Sequence, residues 1–339
     1  MDMRLFHAIN AIAVSYMLCA AGVDAKDAPE HFQQIAQDAS LRAATVVEGR
    51  DGWLFFMPEL RHLGAGKFWG DEAFLISRAT REDATDPLPA ILAFHNELQA
   101  RDVKLIIAPV PPKAVIYGDK LPGSTDWFDA RPDPWHQTFY DLLRDEGITV
   151  LDLTDAFLDA RDHARGPLYC LQDTHWSGVA CVLAAKAMAE QIKPLVQDVE
   201  TRSIDTEWRT IEITGDLWRM LDQPALPREE LSVRHVMGAD PDPESPVLLL
   251  GDSHTLVFQA GGDMHYRNAG LADQLAVELG FPVDLIGVRG SGATPARINL
   301  FRRAQRNPAY WDDKKVVVWV FAAREFTESD GWRIVPVAP

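Results

Sequence analysis

The sequence predicts an α/β protein, a three-layer α/β/α sandwich built around a mostly parallel sheet. Short apolar runs recur along the chain, and longer stretches of helical pattern separate them. Strands that alternate with helices imply right-handed crossovers and helices on both faces of the sheet. Five runs read as strands: Val103 to Ala108, Ile148 to Leu151, Val247 to Leu250, Val283 to Gly287 and Val316 to Phe321. The helical patterns cover Leu88 to Ala100, Pro134 to Glu146, Gly178 to Ile192 and Ala269 to Leu279. Ser177 is a suitable N-cap for the third of these helices, and Pro194 helps to end it. The stretch Gln197 to Glu244 is long, acidic and rich in proline, with no clear period. Inside a compact domain such a stretch is an insertion of short elements or a lid.

Length and composition set bounds. At 339 residues the chain makes one large domain or two, and 47% hydrophobic against 24% charged residues is the balance of a globular protein. A formal charge of −17 argues against general affinity for nucleic acid. The charge is uneven. From Arg289 to Arg333 there are nine Lys/Arg against five Asp/Glu, while Asp198 to Glu244 holds twelve acids against five bases. A basic surface near a site could hold an anionic polymer; the plainer use of such charges is a solvated helix face.

The amino terminus reads differently. Arg4, the mostly apolar stretch Leu5 to Gly22 and the small residues before Ala25 form an export signal or an uncleaved anchor over residues 1–25. No other stretch approaches the ~20 apolar residues of a membrane helix. The remainder is therefore expected in the periplasm. Cys170 and Cys181 have two possible fates there, a disulfide that closes a short loop or a pair of separate buried thiols.

Two motifs carry the chemistry. The run Val247 to Leu250 reads as a strand buried on both faces, and Gly251 permits a sharp exit. Ser253 then stands beyond the carboxyl end of the strand, where open α/β sheets place their sites. Upstream lies Gln172-Asp173-Thr174-His175-Trp176-Ser177. If Asp173 to His175 is extended, the two side chains project to one side and the carboxylate can hold the imidazole. Ser253 as nucleophile, His175 as base and Asp173 as its orienting acid would form an acyl-transfer triad. His254, next to the serine, suits substrate contact or packing, and Trp176 suits the core better than a pocket wall. Arg289-Gly290-Ser291-Gly292 follows a strand, so Gly290 and Ser291 are candidates for the oxyanion hole or substrate contact. Arg324 follows the last strand, where it either grips a carboxylate of the substrate or pairs with an acid such as Glu325. Asp173, His175, Asp252 and His254 also invite a metallophosphoesterase reading, but no further Asn and His ligands accompany them. No metal and no cofactor are expected.

Two further stretches complete a pattern: Gly49-Arg50-Asp51-Gly52-Trp53-Leu54-Phe55-Phe56 and Pro109-Val110-Pro111-Pro112-Lys113. Together with the Asp-x-His-Trp and Gly-Asp-Ser motifs, in this order, they resemble the SGNH-type domain of the AlgX/AlgJ alginate O-acetyltransferase family. The resemblance runs from about Val46 to about Phe326, and the domain is drawn at 46–333, with 197–244 as an insertion or lid. It implies an SGNH-hydrolase-like fold in which the Asp-His motif precedes the serine, the reverse of the usual order. It also implies a periplasmic O-acetyltransferase for an exopolysaccharide, and it alone suggests alginate. A membrane-bound O-acyltransferase is then the implied acetyl donor, and the polysaccharide is the acceptor. The same triad would serve a carbohydrate esterase, and a non-catalytic scaffold subunit is a third reading. The sequence ends soon after Arg333, so the carbohydrate-binding module that follows the domain in some members is not expected.

Overall fold

The five apolar runs pair into one sheet. The computed structural model describes residues 27–123, 131–221 and 228–339. In chain order the strands are β1 (Val46–Glu48), β2 (Leu54–Phe56), β3 (Lys104–Val110), β4 (Thr149–Val150), β5 (Thr206–Ile213), β6 (Glu229–Val236), β7 (Val247–Gly251), β8 (Asp284–Gly287) and β9 (Val316–Ala322). The central sheet has the order β4-β3-β9-β7-β8, and every neighbouring pair in it is parallel.

Side-chain alternation divides the interior in two. Along β9, Val316, Val318 and Val320 join one core, while Val317, Trp319 and Phe321 join the other. Helices Ala28–Leu41, Gly178–Ile192 and Leu271–Leu279 cover the first face. Helices Pro87–Gln99, Pro134–Asp145 and Thr294–Arg306 cover the second. That is the three-layer α/β/α arrangement. Strands β7 and β9 are apolar throughout because both of their faces are buried, and β3 is apolar beyond its exposed first residue, Lys104.

The helix Gly178–Ile192 begins as its sequence suggests, with Ser177 Oγ accepting from the Ala180 N–H. The long acidic stretch, however, contains strands. Strands β5 and β6 pair antiparallel from Thr206↔Val236 to Ile213↔Glu229. Ile213 alone of β5 is buried, so no two-residue hydrophobic period marks that strand. Strand β6 lays Val233 against Gly178 at the start of the helix, close enough that a Cβ on the glycine would come within 2.9 Å of it. The early glycine motif forms the β1–β2 hairpin, in which Gly49 N–H donates to Trp53 O at 2.7 Å. Asp51 and Gly52 make its turn with φ of 56° and 81°.

Cys170 and Cys181 are free, buried thiols, and Cys170 Sγ donates to the Trp176 carbonyl. The export or anchor stretch, residues 1–25, lies outside the described residues. Among those described, no helix is long and apolar enough to cross a membrane.

Gly251 is where β7 leaves the sheet. A Cβ there would lie 2.1 Å from Val320 O of the neighbouring strand and 2.7 Å from Thr255 Cγ2. Backbone cannot yield as a side-chain tip can. Gly251→Ala should therefore destabilise the fold by about 2 kcal/mol or more, within the range of core overpacking. Denaturant unfolding would read the loss as a lower midpoint, and an unchanged midpoint would contradict this close approach.

Candidate active site

Ser253 sits at the first position of a short helical turn, Ser253–Thr255, just past β7. Asp252 fixes that turn from both sides. Its Oδ1 accepts from the His254 N–H at 2.8 Å and from His254 Nδ1 at 3.0 Å. Its Oδ2 accepts from the Ala322 N–H at 2.7 Å, tying the exit of β7 to the exit of β9. The Ser253 N–H, first in its turn, has no partner within it. The Ser253 hydroxyl lies 2.7 Å from His175 Nε2.

The segment holding Asp173 and His175 is a bend, and this corrects the extended geometry expected from the sequence. Asp173 Oδ1 accepts from the backbone N–H of His175 at 3.0 Å and from its Nδ1 at 2.6 Å. An aspartate that bonds the amide two residues on curls the chain, and here the same contact presents the imidazole. Asp173 Oδ2 accepts from the Asp216 N–H at 2.8 Å and from His265 Nε2 at 2.9 Å. With two donors on each oxygen, the carboxylate is fully satisfied.

The bend hangs between two buried charges. Lys113 Nζ, 1% exposed, donates to the carbonyls of Leu54, Leu171 and Asp173 at 2.6, 2.9 and 3.1 Å. Across from it, Glu229 accepts the N–H groups of Leu171 and Gln172 at 2.6 and 3.0 Å. Gly215 approaches the same bend so closely that a Cβ would fall 1.8 Å from Gln172 O. That approach brings in Asp216, whose carboxylate accepts from Thr174 N–H and Oγ1–H.

These contacts set the protonation states. Burial disfavours the charge on Asp173, but His175 and His265, by charge and hydrogen bond, hold its carboxyl well below the usual range. Burial also disfavours charge on His175, and Asp173 outweighs it, aided by Asp216 and Asp252, so the imidazole is raised. A carboxylate only accepts, so His175 Nδ1 carries a proton. When the ring is neutral, Nε2 is then free to accept the proton of Ser253. A hydroxyl held on such a nitrogen, with a carboxylate behind the ring, is the geometry that activates serine for acyl transfer.

Asp173, His175 and Asp216 place ligand-type atoms within 4.8 Å of one another. The oxygens of both carboxylates already face N–H and O–H donors, which suits hydrogen bonding better than metal ligation.

A cleft of about 590 Å³ opens at Ser253 and His175, and Gly290, Ser291 and Arg324 also line it. Gly290 has φ of 98°. Ser291 Oγ donates to Glu325, whose carboxyl burial raises to about 7. Arg324 makes no ion pair with Glu325, although its charge opposes that rise. Its guanidinium lies over the Phe56 ring at 5.4 Å and makes no hydrogen bond or ion pair among the described residues. Of the other arginines of the basic stretch, Arg289 pairs with Asp263, Arg303 pairs with Asp284 and Arg297 lies buried beneath Trp319, while Arg302, Arg306 and Arg333 are exposed. Of the three arginines that line the cleft, Arg61 pairs with Glu328 and Arg289 with Asp263, which leaves Arg324 as the one without an ion pair among the described residues. His254 and Trp176 pack together edge to face, 5.4 Å between centroids, with Trp176 Nε1 donating to His254 O. Sequence reasoning did not select Lys113, Glu229, Asp216 or His265 as parts of the site. Lys113 was visible only as part of a motif.

Comparison with known proteins gives consistent results. A family model described as an SGNH hydrolase-like domain, acetyltransferase AlgX, matches residues 46–323. The chain is 27% identical over 294 residues to the probable alginate O-acetylase AlgJ of Pseudomonas aeruginosa, covering 82% of this chain and 70% of that protein. It is 28% identical over 178 residues to the probable alginate O-acetylase AlgJ of Pseudomonas putida, covering 52% of this chain and 42% of that one. Among solved structures, the O-acetyltransferase domain of Pseudomonas putida AlgJ aligns with a TM-score of 0.61 at 23% identity, over 83% of this chain and 92% of that one. Pseudomonas aeruginosa AlgX aligns with a TM-score of 0.58 at 17% identity, over 82% and 61%. At such identities the structural likeness establishes the fold.

The raised imidazole gives a pH prediction. His175 can accept a proton only when neutral, so turnover of an activated ester should rise with pH. Its inflection should lie above the ordinary imidazole value of about 6.5. Asp173→Asn removes the charge that raises it. The inflection should then move to lower pH, while the plateau falls by up to roughly 10⁴-fold. An inflection that stays in place in this variant would contradict the assignment of Asp173 as the partner of His175.

Proposed function

Because the chain belongs to the SGNH hydrolase-like family of the acetyltransferase AlgX, we propose that it transfers acetyl groups through Ser253 to hydroxyls of an alginate-like polyuronate. The carrying observation is the relay from Ser253 Oγ to His175 Nε2 at 2.7 Å and from His175 Nδ1 to Asp173 at 2.6 Å, open to the cleft that holds Arg324. The names of the relatives, probable alginate O-acetylases, support the substrate. The apolar stretch from Leu5 to Gly22 supports export to the periplasm. Family likeness implies a membrane-bound O-acyltransferase as the acetyl donor.

In this reading His175 takes the proton of Ser253 as the oxygen attacks the acetyl carbonyl of the donor. Negative charge collects on the carbonyl oxygen, where the free Ser253 N–H and backbone N–H groups of the Gly290–Gly292 turn are the candidate donors. The donor oxygen leaves with the proton from the imidazolium, and acetyl stays on Ser253. A sugar hydroxyl then gives its proton to His175, attacks the acetyl-serine, and departs as the ester, while serine regains the proton. Asp173 stabilises the imidazolium in both halves.

Arg324 supplies the acceptor's anchor. A guanidinium in no ion pair among the described residues, backed by an aromatic ring, suits a planar carboxylate. Replacing Arg324 by Ala should raise the concentration of mannuronate oligomer needed for transfer and leave hydrolysis of para-nitrophenyl acetate nearly unchanged. Salt should weaken acceptor use in the wild type, since charges are screened over ~8 Å at physiological ionic strength. The measurement is acetate incorporated into the oligomer against acetate released, at two salt concentrations. Acetate appearing only as free acid, whatever the acceptor concentration, would make the protein an esterase.

A further inference from the structure

We infer that His265 is a second imidazole of the relay, a positioning residue that keeps the Asp173 carboxylate aligned with His175. The inference rests on the acyl-serine reading proposed above. His265 Nε2 lies 2.9 Å from Asp173 Oδ2, and its side chain is only 5% exposed. A carboxylate held far below its usual range accepts and does not donate, so His265 Nε2 carries the proton in this contact. The order of hydrogen bonds is therefore Ser253, His175, Asp173, His265, with two imidazoles on opposite oxygens of one acid.

The backbone under His265 is the second observation. Its φ of 72° and ψ of −56°, with Tyr266 N–H donating to Met264 O at 2.9 Å, form a three-residue turn of the rare strained kind. The loop around it is bent repeatedly: Phe258, Gly261, Gly262 and Asn268 also have positive φ. Cross-bonds from Phe258 N–H to Met264 O and from Gly261 N–H to Tyr266 O close it. Glycine would occupy the His265 position with less strain. What glycine lacks is the Nε2–H aimed at Asp173. Strained residues persist where the surrounding structure over-determines them, and they gather at functional sites.

The physical effect is rotational. The Asp173 carboxylate can swing about its Cβ–Cγ bond, which tilts the oxygen that faces His175. The Asp216 N–H and His265 Nε2 both fall on Oδ2, and together they fix the angle at which Oδ1 meets the His175 ring. Without the imidazole, one backbone donor is left on that oxygen, and the carboxylate is freer to misalign the base. His265 would touch neither substrate nor serine; it acts through Asp173.

The test uses the full chain, with turnover of para-nitrophenyl acetate per folded protein. His265→Phe keeps a ring and removes the donor, while His265→Gln returns an N–H near the position of Nε2. His265→Phe should lower kcat about 10-fold at unchanged KM, the size expected for one lost hydrogen bond to a charged group. His265→Gln should recover most of it. In an Asp173→Asn background, His265→Phe should cost less than roughly twofold, because the residue it serves has lost its charge. Imidazole ¹⁵N shifts of the wild-type protein should show His265 protonated at Nε2, a reading that depends on no variant. Full turnover in His265→Phe, an equal cost in both backgrounds, or a His265 ring protonated at Nδ1 alone would overturn the inference. Ser253→Ala separates the two levels: turnover that survives it defeats the acyl-serine reading itself, whereas its loss beside a fully active His265→Phe defeats only this inference.

Discussion

Everything at the cleft depends on how one irregular, buried stretch of backbone, Leu171 to His175, is held. Such a stretch has peptide groups that neither helix nor sheet can satisfy, and each would be costly if left without a partner. Lys113 meets the carbonyls of Leu171 and Asp173 from one side, and Glu229 meets the N–H groups of Leu171 and Gln172 from the other. The three N–H bonds of an ammonium match its three carbonyl acceptors, Leu54 included. Burial pulls the pKa of Lys113 down, opposed by Glu229 and other acids nearby, and burial raises that of Glu229. Two opposed charges thus clamp the bend, and the rings of Trp53 and Phe55, 5.3 and 5.5 Å from Lys113 Nζ, shield the cation.

This clamp gives the sequence motifs a physical reading. The glycine-rich hairpin delivers Leu54, whose N–H donates to Leu171 O at 2.8 Å while its carbonyl accepts from Lys113. The paired prolines end β3 and set Lys113 at the start of its short helix, Lys113–Ile116. Both motifs lie far from Ser253 in sequence, yet both act on the segment that presents His175. The cleft follows from topology: β3, β7, β8 and β9 end on one edge, so Lys113, Ser253, Gly290 and Arg324 all leave the sheet there.

The parallel sheet was legible because both faces of its inner strands are buried, which leaves purely apolar runs such as Val247 to Leu250. Ser253, Asp173 and His175 were legible because their motifs are local. Strand β5 was not, since Trp208 and Ile211 stand three apart on a largely exposed ribbon. Asp216 and His265 were hidden for a different reason. Asp216 reaches Asp173 from the start of a helix through a glycine approach, and His265 from a loop through a strained turn, neither of which composition or period announces. The charge excess after Arg289 is divided in the fold: Arg289 and Arg303 pair with acids, Arg297 is buried, and Arg302, Arg306 and Arg333 stay exposed. Counting charges along the chain could not separate them from Arg324.

The central claim is that Ser253 carries the acyl group, and a covalent adduct tests it most directly. Brief incubation with an activated acetyl ester, acid quench, intact-mass measurement and peptide mapping would locate any acetyl group. The account predicts one added acetyl on the peptide that contains Ser253, formed fast enough to precede steady turnover and absent from Ser253→Ala. An acetyl group mapped to another residue, or turnover at the wild-type rate in Ser253→Ala, would contradict it.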